Sequence, residues 1–264
     1  VEFRGEFALG EFALRAWIVR AWIAAVLLSL APIAASPAGA RAESKVDLEL
    51  ALAVDASASI SGGAMEFQLR GHAAAFRDER LVQAVEASGG RGIAVQLVEF
   101  SGPGSLEVLV PWTLVRDAAG ARAFAGRIEA VRRPERQGST AIGSAIDAIR
   151  PMFEGNGFEA PHRVIDVVSN GFSNGGALVE GARDRAVADG ITINALAILD
   201  EYEWLESYFA ESVIGGPGSF VRTAETRESF AEALVRKLID EIVQAPLPPP
   251  GRGDLAEAAP RREG

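Results

Sequence analysis

The chain has 264 residues, 48% hydrophobic and 23% charged, with 26 basic against 36 acidic side chains and a formal net charge of −10. That balance fits one or two folded domains and excludes a disordered, collagenous or coiled-coil chain; the acidity argues against a nucleic-acid or anionic-membrane binder, which needs a basic footprint. No cysteine is present and His72 and His162 are the only histidines, which excludes disulfides, thiol chemistry, Cys-ligated zinc and His-rich metal sites, so any metal must be held mainly by oxygen.

Arg15 and Arg20 precede an apolar run over 21–35, which is shorter than the roughly 20 residues of a membrane span. Ala38-Gly39-Ala40 and Ala40-Arg41-Ala42 then offer small-x-small cleavage sites. Basic flank, short apolar stretch and small-residue exit read as a secretory signal peptide over 1–42, followed by a periplasmic or secreted domain over 43–244. From 245 to 264 the chain reads APLPPPGRGDLAEAAPRREG. Such a composition sustains no packed element and is read as a disordered tail.

Between these ends, strands alternate with helices. The run 46–54 is a buried strand ending at Asp55. Met65, Leu69, Ala73 and Phe76 put one apolar face on a helix over 64–77. A second strand over 92–100 turns through Ser101-Gly102-Pro103-Gly104 into a third over 106–113, a hairpin in which Pro111 suits the end of an edge strand. Helices follow over 116–131 and 140–153, a strand over 162–169, a helix over 177–189 stopped by Gly190, and a strand over 191–199. A short helix over 203–213, a last strand over 219–223 and a helix over 227–243 complete the order. Strands separated by helices predict an α/β domain: a doubly wound, mostly parallel sheet with one antiparallel edge strand and helices on both faces. In such folds ligands bind beyond the carboxyl ends of the strands.

Three loops at those ends carry polar residues. Asp55-Ala56-Ser57-Ala58-Ser59 sends one carboxylate and two hydroxyls to the same side, because alternate residues share a side in extended chain. Three converging oxygens suit a hard divalent ion, and Mg²⁺ takes six oxygens while keeping some of them as water. Thr140, in Gly138-Ser139-Thr140, either caps the following helix or adds a fourth oxygen. The third loop is Ser169-Asn170-Gly171-Phe172-Ser173-Asn174.

Asp55, Ser57 and Ser59, followed by Thr140, resemble the D-x-S-x-S and later threonine of the von Willebrand factor type A domain, the metal-ion-dependent adhesion site. The resemblance extends over about 46–243, and LAVDASASI, VEFSG, VPWT, STAIGSAI, RVIDVVSNG, GITINALAI and VIGGPGSFV look like an exported bacterial branch of that superfamily. It implies Mg²⁺ (or Mn²⁺ or Ca²⁺) on the upper rim, with Asp55, Ser57, Ser59, Thr140 and Asn170 as its ligands, and a protein partner whose exposed Asp or Glu completes the coordination. One position departs from the pattern: Asn170 stands where the family usually has an aspartate. Metal plus Asp55 alone is left at +1, so resting metal affinity is expected to be weakened until a partner carboxylate neutralises the site.

Rival chemistries find less support in the same residues. Gly171-Phe172-Ser173-Asn174-Gly175 is formally G-x-S-x-G, but both histidines precede Ser173, so no downstream base exists for a hydrolase. An aspartyl-phosphate enzyme would want a second acid where Ser57 stands, and a lysine that Lys45 and Lys237, at the domain's ends, supply poorly. No nucleotide-binding glycine motif is present. The histidines, Trp112 and Trp204 read as packing or surface residues, and Asp166 as a strand residue facing away from the site. The resulting expectation is a binding module and not an enzyme, with a metal-free scaffold or a metal-dependent hydrolase as the alternatives.

Overall fold

The computed structural model describes residues 43–57, 62–132 and 138–244. The signal-peptide and tail expectations, and Ser59, lie outside the described residues. The chain order is β1 (Ser44–Lys45), β2 (Leu48–Asp55), α1 (Gly62–Ala75), α2 (Glu79–Ala87), β3 (Ile93–Phe100), β4 (Leu106–Val115), α3 (Ala118–Glu129), α4 (Ile142–Ile149), β5 (Phe158–Glu159), β6 (Arg163–Ser169), α5 (Val179–Ala188), β7 (Ile191–Ile198), α6 (Leu205–Tyr208), β8 (Val221–Ala224) and α7 (Arg227–Gln244). The main sheet runs β4-β3-β2-β6-β7-β8. All its pairs are parallel except β3–β4, the antiparallel hairpin. The expected doubly wound architecture is therefore the observed one. A two-stranded ribbon of β1 and β5 stands apart from this sheet.

Strand periodicity divides the interior into two layers. Leu48, Leu50, Leu52 and Val54 enter one core with Phe76, Phe124, Phe230 and Leu234. Ala51 and Ala53, between them on β2, enter the other with Ile142, Ile146, Val179 and Phe209. This alternation is the side-chain period of two, with both faces buried, as a helix-covered parallel sheet requires. The small alanines let α4 approach the sheet closely, and α4 in turn touches the loop before α5. A Cβ on Gly143 would stand 2.3 Å from the Ala177 carbonyl oxygen. Gly143→Ala should therefore lower stability by about 1–3 kcal/mol, read as a lower urea midpoint at unchanged slope.

Besides the β1–β5 ribbon, which was not expected, four elements differ from the sequence reading. Helix α2 was not expected; Asp78 caps it by accepting from the Arg80 amide at 2.8 Å, and Leu81 and Val85 are its buried contacts. The predicted helix over 140–153 changes at Arg150 into a 3₁₀ turn, Arg150–Phe153, because Pro151 has no amide to continue the α ladder. The predicted helix over 203–213 is α only over Leu205–Tyr208 and continues as a π turn, Phe209–Val213. Pro111 lies inside β4, not at its end. Val95 pairs with Thr113 and Leu97 with Val110, so Pro111 and Trp112 oppose Gln96 alone, and this bulge accommodates the missing amide on the edge strand.

One polar cluster is buried on the α1/α7 side. The Lys237 ammonium lies 2.5 Å from Asp166 Oδ1 and 2.6 Å from Glu241 Oε1, all three side chains fully or almost fully buried. Asn194 donates to Glu241 Oε1 at 2.9 Å and accepts from the Phe220 amide at 3.1 Å. His72, also buried, has its Nδ1 2.8 Å from the Gln68 carbonyl oxygen. Lys237 thus sits deep inside the domain, although its sequence position placed it at an end.

Candidate functional site

Strand β2 delivers Asp55 to the carboxyl-end rim as its last residue, and the carboxylate is wholly buried. Its Oδ1 accepts from the Ser57 amide at 2.8 Å, and the Ser57 hydroxyl bonds it as well. Its Oδ2 accepts from the Ser169 hydroxyl at 2.5 Å. Burial holds the Asp55 carboxyl above its ordinary pKa, opposed by the bonds from Ser169 and Ser57. Among the described residues no basic side chain forms an ion pair with it.

The loop before α4 is set by backbone bonds. The Ala141 amide donates to the Ser101 carbonyl at 3.0 Å. The Thr140 amide donates to Asn174 Oδ1 at 2.8 Å, and the Asn174 amide returns to the Thr140 carbonyl at 2.9 Å. Thr140 does not cap the helix: Ala141 is the N-cap and no side chain bonds the first turn. The Thr140 hydroxyl instead lies against the third loop, where a Cβ on Gly171 would meet its Oγ1 at 3.7 Å.

Asn170 follows β6 and is 3% exposed. Its Nδ2 donates to Glu201 Oε1 at 3.3 Å, and its buried Oδ1 has no hydrogen-bond partner among the described residues. A buried acceptor left unpaired in this way calls for a missing partner. Asp55, Ser57, Thr140 and Asn170 thus share one rim, and Asp55 joins the third loop directly through Ser169. Asp166 belongs elsewhere, on the opposite side of β6 from Ile165 and Val167.

Three members of the site were not singled out from the sequence: Ser169, Asn174 and Glu201. A hydroxyl closing a central strand marks Ser169, and adjacency of β6 and β7 brings Glu201 beside Asn170, but only the paired sheet makes that adjacency readable. Among the described residues no group of three or more His, Cys, Asp or Glu side chains could hold a metal. The candidate donors are the Asp55 carboxylate, hydroxyls and the Asn170 amide oxygen; among the described residues the Asn170 oxygen has no hydrogen-bond partner and Asp55 no ion pair, which fits a hard divalent cation. Ser173, the would-be nucleophile, turns its hydroxyl to the Thr140 and Gly175 carbonyls at 3.3 and 3.4 Å. Neither histidine contacts it; His72 packs against Phe230, and His162 stands before β6, at the other end of the strand from Ser169.

The chain belongs to the family described as protein of unknown function (DUF1194), whose model matches residues 45–246. No curated protein sequence matches it. It is similar to the solved structure of proximal thread matrix protein 1 from the mussel byssus with a zinc-occupied MIDAS motif, at 20% identity and TM-score 0.57 over 75% of this chain and 48% of that one. It is also similar to the pilus adhesin SpaC of Lactobacillus rhamnosus GG, at 16% identity and TM-score 0.51 over 74% and 30%. A third similar structure is the vWF domain of the type V pili tip protein Mfa5 from Porphyromonas gingivalis, at 11%, 0.50, 76% and 97%. The chain spans about half the length of the mussel protein. At these identities the likeness establishes the fold, which is that of a von Willebrand factor A domain.

Proposed function

We propose that this member of the family is an exported protein-binding module, not an enzyme, that uses a divalent cation at the rim of its sheet to capture an acidic side chain of a partner. The observation that carries this reading is the buried Oδ1 of Asn170, without a hydrogen-bond partner among the described residues, on the rim that also holds the buried carboxylate of Asp55. Ser57, Ser59 and Thr140 would hold the ion through their hydroxyls, and Asp55 and Asn170 directly or through water. Bound Mg²⁺, Mn²⁺ or Ca²⁺ would leave a coordination position open to an Asp or Glu of the partner. Two similar structures are those of a pilus adhesin and a pilus tip protein, which agrees with an interaction role. Export rests on the signal-peptide reading of 1–42; among the described residues no helix is long and apolar enough to cross a membrane.

Calorimetric titration of the protein with Mg²⁺ and Mn²⁺ tests the site. Asn170→Asp should tighten the ion roughly ten- to a hundredfold, since one added charge nearby is worth a few kcal/mol at most. Absence of binding in both proteins would displace the metal-dependent reading in favour of a metal-free scaffold. Turnover of generic ester or phosphate substrates would instead revive the hydrolase alternative.

A further inference from the structure

We infer that the same rim carries a second subsite, built from Phe172, Tyr202, Trp204 and Tyr208 and edged with carboxylates, which takes a Lys or Arg side chain of the protein partner. This deepens the proposed function and rests on it for the identity of the partner, though the subsite itself needs no metal. Phe172 lies two residues beyond Asn170; Tyr202 and Trp204 follow β7. The ring centroids of Phe172 stand 5.6 Å from Tyr202 and 5.5 Å from Trp204, and those of Tyr202 and Trp204 are 5.2 Å apart. Tyr208 closes the group at 6.4 Å from both Phe172 and Trp204, and its hydroxyl accepts from the Ser173 amide at 3.2 Å, tying the cluster to the site loop.

Trp204 keeps 50% of its surface exposed and is one of the exposed large apolar residues among those described. Exposed aromatic surface of this kind is the usual anchor of a protein interface. Its occupant follows from charge. The stretch 200–211 holds Asp200, Glu201, Glu203, Glu206 and Glu211 and no lysine or arginine. Glu203 and Glu206, on either side of Trp204, are exposed. An aromatic face whose exposed Trp204 is flanked in sequence by carboxylates attracts a cation through the ring quadrupole and through Coulomb attraction together. Among the described residues, the cations that stand over an aromatic ring, Arg222 and Lys237, both stand over Phe220 and leave this platform clear. The Asn170–Glu201 bond joins the two subsites, so the partner segment should carry its base close to the acid that enters the adhesion-type site.

The test is calorimetric titration of the full chain with hexa-arginine, first in EDTA. Wild type should bind. Trp204→Ala should weaken binding at least tenfold, and Glu203→Gln with Glu206→Gln should weaken it severalfold and flatten its salt dependence. Equal binding by wild type and Trp204→Ala, with both proteins folded by circular dichroism, would overturn the subsite, as would tighter binding of hexaproline than of hexa-arginine. A peptide carrying both Asp and Arg should then bind more tightly in Mg²⁺ than in EDTA. If Mg²⁺ adds nothing while hexa-arginine binding persists, the adhesion-site reading fails and the cation subsite stands.

Discussion

Lys237→Met will lower the unfolding free energy by about 3–5 kcal/mol, because it removes the one cation that compensates two buried carboxylates. Asp166 and Glu241 lie 2.5 and 2.6 Å from the Lys237 ammonium in the absence of any solvent contact. Methionine keeps the length and apolar stem of lysine, so the loss is chiefly electrostatic and not a cavity. The triple variant Lys237→Met, Asp166→Leu, Glu241→Gln should recover most of the stability, since an apolar replacement of a whole buried ion cluster is often neutral or better. If Lys237→Met alone lies within about 1 kcal/mol of wild type in urea unfolding, the cluster is not an energetic centre of the fold. A pH series adds a second readout. Burial raises the Glu241 carboxyl to about 7, above its ordinary value of 4.5. The folded state then binds the proton more tightly, so this group's contribution is complete below about pH 4.5 and is lost as pH rises through about 7. Glu241→Gln should flatten that fall in stability relative to wild type.

Asp55→Asn should abolish every effect of Mg²⁺ or Mn²⁺ on the protein and yet raise its stability in EDTA at neutral pH. Asparagine Oδ1 can still accept from the Ser57 amide and its Nδ2 can donate to Ser169 Oγ, whose hydroxyl then turns to the Gly171 carbonyl, while the buried charge disappears. The sign follows from linkage. Burial raises the folded-state pKa of Asp55 above 3.8, so without metal the wild-type protein loses stability as pH rises through that folded-state value. Cation binding reverses the balance: Mg²⁺ at a hundred times its dissociation constant stabilises wild type by about 2.7 kcal/mol. Thermal unfolding of both proteins in EDTA and in Mg²⁺ gives the four values required. A metal-induced rise in Tm that survives in Asp55→Asn would place the ion somewhere other than this rim.

Strand and helix placement was readable because both faces of the sheet are buried, which makes β2, β3, β6 and β7 nearly continuous apolar runs. The misses have local causes. Helix α2 carries helical spacing in Leu81 and Val85 behind its cap Asp78, but at nine residues it is short enough to read as part of the connection between α1 and β3. Pro111 pointed to a strand end because a central ladder cannot hold proline; an edge strand with a bulge can. At the rim, Asp55, Ser57, Thr140 and Asn170 could be found because they end β2 or lie in the loops after β2, before α4 and after β6, and because their pattern resembles that of the adhesion site.

The sequence by itself determined the layered α/β architecture and the rim where a ligand site is expected, and it left mainly oxygen donors for any metal, since these follow from periodicity, strand-helix order, the absence of cysteine and the presence of two histidines only. Tertiary structure alone decided which side chains meet. Ser169 reaches Asp55 across 114 residues of chain, and Asn174 holds Thr140 across 34. Lys237 is brought from the last helix to a central strand, and aromatic residues from the loops after β6 and β7 form one platform. Local pattern states which face of an element is apolar. Partnership between distant polar groups depends on strand order, register and helix docking, which are set by packing of the whole domain.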